Sequence, residues 1–554
     1  MGGLLFGWMV RKLRAYARGP LQGGAEEGRS GGEDGREEKA GSAGLEPELA
    51  KNLDELKKTF GNASDLKIHG FCFGPGARVS GALIFIDGLV NSLLLTEAVL
   101  RPLKDWTPGE GEELPSGDNL SRELARLVLC AGEIEEAATL EDVVSGCLAG
   151  DAALLLDGCA KGLIISSKGW DKRGVEEPQS ETVVRGPREG FTENLRTNTA
   201  LIRRKIKSGQ LRAEHMTLGR RTRTSICIMY IKDIANPQVL RTLRYRLSHL
   251  DVDSILESGY IEEYIEDAPF SPFATVGSTE KPDVVAGRLL EGRVAIVVDG
   301  TPFVLTVPML FIESFQTAED YYVRPLYASL VRMLRFIAFF ITIFAPGIYI
   351  ALTAFHQEFI PTTLLLSIAN AREGTPFPAL IETLVMVFAF EILQEAGIRM
   401  PRPVGQAISI VGALIMGDAA VSAGLVGAPV VIVVAFTAVC GFLVPTQQEA
   451  SSMLRIVMML LGATLGWYGI SMGLLALLLH LGSLKSFGVV YFDGFTRTGN
   501  LQDSVVRMPL WSMLLRPAQL AYGDKSRRGR FFVPPPRPED PPENQGEEGE
   551  GEQW

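Results

Sequence analysis

Between Phe390 and Gly417 the chain reads FEILQEAGIRMPRPVGQAISIVGALIMG, setting charged side chains against some of its most apolar residues. Glu391, Glu395 and Arg399 are spaced i, i+4, i+8, so on a helix they share one face, and Arg399 partly neutralises the acidic pair. Glu382, in the same helical segment, points the opposite way. Asp418 is the only charged residue between Val404 and Val444. Ionisable groups at bilayer depth are costly and persist beside partners, water or an ion path, and rings of carboxylates line many cation pathways. The chemistry on offer is therefore ion passage or gating, with Asp418 first, then Glu382, Glu391 and Glu395, with Arg399 as their cation. A plainer alternative stands beside each: an exposed loop acid for Asp418, interfacial anchoring for the others.

The elements that must position these groups are apolar helices. Phe336 to Phe355, FIAFFITIFAPGIYIALTAF, is twenty residues without a charge, about 30 Å as a helix and so the thickness of a hydrocarbon core. Pro346 is expected to kink it. Further apolar runs cover Val404–Val426, Ala428–Val444 and Ile456–Leu481. In the last, Gly462, Gly466, Gly469 and Gly473 form two GxxxG pairs and one narrow stripe, suited to close helix packing within a bundle or between copies. Arg324, Arg332 and Arg335 precede the first span, and Lys485, Arg497, Arg507 and Arg516 follow the last. By the positive-inside tendency both flanks are cytoplasmic. An even number of crossings follows, and the reading is four full spans with 377–400 re-entrant or interfacial; a fifth would put a basic tail outside.

Before residue 320 the pattern changes to short strands and amphipathic helices. DVVSGCLAGDAALLLDG (Asp142 to Gly158) and DVVAGRLLEGRVAIVVDG (Asp283 to Gly300) repeat one plan: helix, apolar strand, Asp-Gly turn, strand. Asp157-Gly158 and Asp299-Gly300 predict type I′ hairpin turns, which need positive φ at both central residues. Turn chemistry accounts for these aspartates, and for Asp87, more cheaply than catalysis. From Arg185 to Arg246 there are 15 Lys or Arg against 4 Asp or Glu. No nucleic-acid motif accompanies this cluster, so anionic lipid or a neighbouring subunit is the better partner, a solvated face the commonest.

The fold class is thus an α+β cytoplasmic region of two α/β subdomains, followed by an all-α polytopic membrane domain of four to five transmembrane helices. The divisions are 1–45, a disordered extension with a candidate interfacial helix at 1–18; 46–180, the first subdomain; 181–214, a basic helical linker; 215–320, the second subdomain; 321–485, the membrane domain; 486–523, a cytoplasmic segment; and 524–554, a disordered Pro/Glu-rich tail. Both tails lack the large apolar residues a core needs. The six cysteines form no CxxC pair, which argues against zinc and disulfides. No Walker A, HExxH or dinucleotide motif is present, so neither an enzyme nor a cofactor is expected.

Several long motifs resemble the spore germination GerA family, the A subunits of nutrient germinant receptors. They are VVRGPREGFTENLRTNTALIRRKI, ILESGYIEEYIEDAPFSPF, EDYYVRPLYASLVRMLRF, FHQEFIPTTLLLSIANAREGTPFPALIE, EILQEAGIRMPRPVGQAISIVGALIMGDAAVSAGLV and SLKSFGVVYF. The resemblance covers approximately residues 50–520. Gln394 stands where the family usually has Arg, leaving Arg399 as the nearby cation for Glu391 and Glu395. The resemblance implies a multi-pass protein of the inner membrane of the bacterial endospore with its N-terminal domain in the cytoplasm. It implies assembly with a transporter-like B subunit and a lipoprotein C subunit, and oligomerisation into an ion-release channel. A non-conducting scaffold for those subunits is the alternative, as is a channel like the paralogous stage V sporulation AF protein.

Overall fold

The computed structural model describes residues 44–61, 63–74, 78–106, 117–128, 133–169, 178, 181–399, 417–493, 503–517 and 519–527. The tails read as disordered, the candidate helix at 1–18 and most of the Val404–Val426 run lie outside them.

The α/β region is one plan built twice. Helix α1 (Leu49–Phe60) precedes strands β1 (Leu66–Phe73), β2 (Val79–Ile86) and β3 (Ile134–Ala137), then α2 (Leu140–Ala149), β4 (Ala152–Leu156) and β5 (Gly162–Ile165). The second copy runs α3 (Leu195–Lys205), β6 (Leu211–Leu218), β7 (Thr224–Ile231), α4 (Pro237–Ser248), α5 (Ser258–Ile265), β8 (Gly277–Thr279), α6 (Pro282–Leu290), β9 (Val294–Val298) and β10 (Val304–Val307). The strand orders are β1-β2-β4-β5-β3 and β6-β7-β9-β10-β8, the same topology twice, with every pair antiparallel. Both faces of each sheet are covered, so the central strands read as unbroken apolar runs. Val294, Ile296 and Val298 enter one core and Ala295 and Val297 the other, by the two-residue alternation of a strand. The second copy starts before residue 215: α3 and the head of β6 fall within 181–214, and Leu201 and Ile202 of α3 are buried against the sheet.

The Asp-Gly pairs differ from the expected turn. Their loops are five residues long, Asp157–Lys161 and Asp299–Phe303, and only the glycines take positive φ, 83° and 90°. The aspartates serve helix ends instead. Asp157 Oδ1 accepts from Leu49 N at 3.1 Å and Asp299 Oδ1 from Leu195 N at 3.0 Å, each capping the helix that opens its own copy. Gly158 N donates to Pro47 O and Gly300 N to Glu193 O, so the duplication extends to single hydrogen bonds.

The two copies are locked by charge. Arg203 of α3 is 1% exposed and makes a two-pronged bond to Asp65, 4% exposed, at 2.7 and 3.0 Å. Much of the basic cluster is consumed in the same way: Arg204 and Lys205 pair with Glu189, Arg196 with Asp87, Arg244 with Glu214 and Arg246 with Asp267.

Helix α7 (Pro325–Ala354) starts the helical bundle and contains Pro346. Thirty residues make about 45 Å, more than a hydrocarbon core. Its first turns are pinned to the α/β region, with Arg332 fully buried between Asp320 (2.8 Å) and Asp503 (2.9 Å), and Arg335 also on Asp320. Helices α8 (Thr362–Arg372), α9 (Ala379–Arg399), α10 (Ala428–Gly441) and α11 (Gln448–Ser483) follow. Among the described residues two helical stretches are long and apolar enough to cross a membrane, Pro325–Ala354 and Pro445–Ser483. Four full spans are thus not confirmed by these residues: Ala428–Gly441 has 14 residues, and the Val404 run is mostly outside them.

Helix α11 is not one rod. Gly466 sits at φ 59°, ψ −138°, outside helical space. A Cβ on Gly469 would strike Leu461 O, and one on Gly473 would lie 2.6 Å from Met458 Sδ. Eight and fifteen residues along a straight helix are far apart, so the chain reverses at Gly466 into two antiparallel arms. Both outer ends meet the α/β region: Gln447 Nε2 donates to Ser314 Oγ (2.7 Å), and Ser486 Oγ donates to Thr275 O (2.7 Å). The tip meets Phe355 and His356 at the far end of α7.

Replacing Arg203 by alanine leaves Asp65 buried without a counter-charge and should cost about 3–5 kcal/mol, read as a lowered denaturation midpoint of the full chain in detergent. The pair Arg203→Met with Asp65→Leu should cost less than either single change. Near the α5–α11 junction, burial and then the neighbouring Glu266, Glu257 and Glu449 push the Glu262 carboxyl up to about 7. The folded state then holds a proton that the unfolded state, at an ordinary 4.5, has lost, so stability falls as pH rises from about 4.5 through about 7. Glu262→Gln should flatten thermal stability across that window.

Candidate functional site

The bundle holds its charges as separate pairs. Pro346 has no N–H to offer the Thr342 carbonyl four residues back. That carbonyl accepts instead from Arg455 Nε of the first α11 arm at 3.2 Å. The same guanidinium donates through Nη1 to Glu391 Oε1 of α9 at 3.1 Å, and Ser452 Oγ donates to that oxygen at 2.9 Å. Arg455 is 5% exposed, whereas the Glu391 side chain is one-third exposed, so the pair is sealed on one side and open on the other. One proline and one arginine thus tie α7, α9 and α11 together through groups that apolar surroundings cannot otherwise satisfy.

A second pair lies towards the far end. Glu382 is fully buried, 3.4 Å from Arg372 of α8, and accepts from Gly427 N at the start of α10, where a negative charge suits the helix dipole. Glu395 and Arg399 pair with each other at 2.6 Å on an exposed face. The predicted stripe is therefore divided: Arg399 serves Glu395 alone, and Glu391 takes Arg455. Asp418 is exposed and has no ion pair or hydrogen bond among the described residues.

The four glycines do not form one stripe, because the reversal at Gly466 separates them. A Cβ on Gly462 would lie 2.5 Å from Gly347 O of α7, while Gly469 and Gly473 face the first arm. They seat α7 and the two arms at backbone contact within one chain. Arg455, Arg372 and Ser452 escape the sequence reading. Arg455 directly precedes the apolar run Ile456–Leu481, and a lone arginine beside so long an apolar run is itself the signal. Of the described cysteines, Cys147, Cys159, Cys227 and Cys440 are buried and Cys72 is exposed.

At the base of α7, burial raises the Asp503 carboxyl, opposed by Arg332 at 2.9 Å. Burial likewise raises the Tyr321 phenol, which donates to Asp503 at 2.8 Å. The C-terminal segment thereby fastens the bundle to the α/β region. Gly462→Val, which forces backbone against backbone, should destabilise the bundle by about 1–3 kcal/mol, seen as a lower thermal midpoint, while Gly482→Val, with open space around it, should not.

A model of the Bacillus/Clostridium GerA spore germination protein family matches residues 54–519. The chain is 44% identical over 497 residues to spore germination protein KA of Bacillus subtilis, covering 89% of this chain and 90% of that protein. It is 40% identical to spore germination protein B1 of the same organism, covering 87% and 99%, and 36% identical to spore germination protein GerLA of Bacillus cereus, covering 87% and 98%. Among solved structures, the crystal structure of the N-terminal domain of the A subunit of the Bacillus megaterium spore germinant receptor GerK3 aligns at 37% identity with a TM-score of 0.39, covering 49% of this chain and 98% of that one. A family match across most of the chain, with relatives aligned over nearly their full length, places this protein in the GerA family of spore germination proteins.

Proposed function

We propose that this chain is the A subunit of a nutrient germinant receptor, and that several copies assemble into an ion-release channel in the inner membrane of the endospore. It acts there with a transporter-like B subunit and a lipoprotein C subunit. Both flanks of the bundle pack on one α/β region, which supports an even number of crossings with that region in the cytoplasm. The observation that carries the reading is the Glu391–Arg455 pair on the Thr342 carbonyl: an ionised pair inside apolar helices, half open, is what a gated ion path requires and what packing alone avoids.

In this reading the closed state is the one held by Arg455. Withdrawal of the first α11 arm breaks its bonds to Thr342 and Glu391 together and leaves a carboxylate facing the opening. Germinant binding to a partner favours that state only by binding it more tightly. Glu382 holds the far ends of α9 and α10 in place, and Asp418, exposed, is available to line the path.

Spores carrying Glu391→Gln should release ions with altered kinetics, about tenfold for each ~1.4 kcal/mol by which the closed–open balance moves, at unchanged protein level. Asp418→Asn, which removes no bond, should alter release only if Asp418 faces the path. Normal kinetics at normal abundance in both would remove these residues from the channel. Conductance of the reconstituted complex separates channel from scaffold: a bilayer that stays electrically silent with all subunits and germinant present leaves the scaffold.

A further inference from the structure

The C-terminal segment is fixed to the foot of α7 at two points. Arg507 N donates to Ser329 Oγ at 3.0 Å, and Leu520 is buried with Leu310, Ile312 and Val489 against Phe336, where the uncharged stretch begins. Between these points residues 508–515 carry no charge and turn outward what a water-facing surface would hide. Leu510, Trp511, Leu514 and Leu515 are all exposed, Trp511 at 47% and Leu515 at 69%. The neighbouring side of α7 does the same: Tyr327, Leu330, Leu334 and Ile337, spaced three and four apart on one helix face, are exposed. Single exposed leucines are ordinary, but an apolar patch assembled from two separate segments marks a contact with lipid or protein.

Depth decides between them. Phe336 sits level with the start of the first α11 arm, because Phe315 stacks on it with ring centroids 4.0 Å apart while the adjacent Ser314 holds Gln447. From Gln448 the arm climbs eighteen residues to its reversal at Gly466, about 27 Å and close to the ~30 Å of a hydrocarbon core. At that reversal Trp467 and Tyr468 are exposed. Tyr and Trp therefore stand at both ends of the bundle, Tyr327 and Trp511 at the foot and Trp467 and Tyr468 at the tip, one hydrocarbon thickness apart. Membrane–water interfaces select these two residue types. Cations accompany them at the foot: exposed Arg324 lies three residues before Tyr327, and Leu515 bridges to Ser526 beside exposed Lys525, where lipid phosphates would meet them.

We propose that residues 508–515 form an interfacial loop whose Leu510, Trp511, Leu514 and Leu515 enter the headgroup layer of the cytoplasmic leaflet beside the foot of α7. The inference rests on the membrane placement proposed for the bundle and adds a lipid contact made outside its helices. The ligand is the lipid surface itself. The leucines meet the upper acyl chains, the Trp511 ring lies at headgroup level, and Arg324 and Lys525 meet the phosphates. Asp503, near the start of the same segment, holds Arg332 of α7 at 2.9 Å. The leaflet and the base of α7 are thereby joined through one short stretch of chain.

The test is tryptophan fluorescence of the full chain in phosphatidylcholine nanodiscs, with and without bromine carried high on one acyl chain as a quencher. Subtracting the emission of Trp511→Phe, and separately of Trp467→Phe, isolates each ring's contribution. Both should lose about half their intensity in the brominated lipid, as rings at the interface do. Serine at both Leu514 and Leu515 should reduce the quenching of Trp511 and leave that of Trp467 as it was. Quenching of Trp467 with Trp511 untouched overturns the inference while leaving the bundle in the bilayer. Quenching of neither removes the membrane placement and the inference with it. A Trp511 contribution that is blue-shifted but indifferent to bromine assigns the surface to a second copy or a partner subunit, and overturns the inference as well.

Discussion

An arginine inside an apolar bundle has few ways to be tolerated, and Arg455 uses two at once. Pro346 frees the Thr342 carbonyl, and Arg455 fills it while also holding Glu391. Each group would be intolerable alone: a carbonyl without a donor, a guanidinium without an acceptor, a carboxylate without a cation. Together they fix the register of α7, α9 and the first arm of α11 more sharply than interchangeable apolar contacts can. The glycines act on the same contact from the other side, since backbone-to-backbone approach of α7 and α11 brings Arg455 within reach of Thr342.

The α/β region shows what duplication preserves and what it releases. Strand order, the aspartate that caps the opening helix and the glycine hydrogen bond behind it are held in both copies. The helix before the fourth strand of each sheet is not. One copy keeps an apolar core there, the other a network of arginines and carboxylates that reaches through Tyr321 and Asp503 to the base of α7. The second copy is thereby the one mechanically joined to the helices, and Arg203 on Asp65 carries the first copy with it.

Much of this was legible in the residues. The repeat DVVxGxL…DG predicts the helix–strand–strand unit because helical and two-residue periodicities are written locally. Asn194 caps α3, its side chain accepting from Arg196 N and Thr197 N, as residues of this type do at helix starts. All but the last of the twenty uncharged residues from Phe336 lie inside α7 because a helix satisfies so long an apolar backbone within itself. Family motifs add the wider identity across most of the chain.

Other features depend on contacts between distant segments. Spacing alone groups Glu391 with Glu395 and Arg399, since successive i, i+4 steps along one helix face are what local geometry can name; Arg455, 64 residues on, wins because burial makes its unpaired state the costlier one. The glycine stripe holds only while its helix is straight, and a single positive-φ glycine at 466 divides it. The Asp-Gly turns are correct in place and wrong in type, because the aspartates are claimed by helix ends far along the chain. Local periodicity and composition determined which segments are strands, helices and apolar runs. Which charge meets which, and where a long helix folds back, only the tertiary structure decided, because desolvation penalties fall on groups brought together from distant parts of the chain.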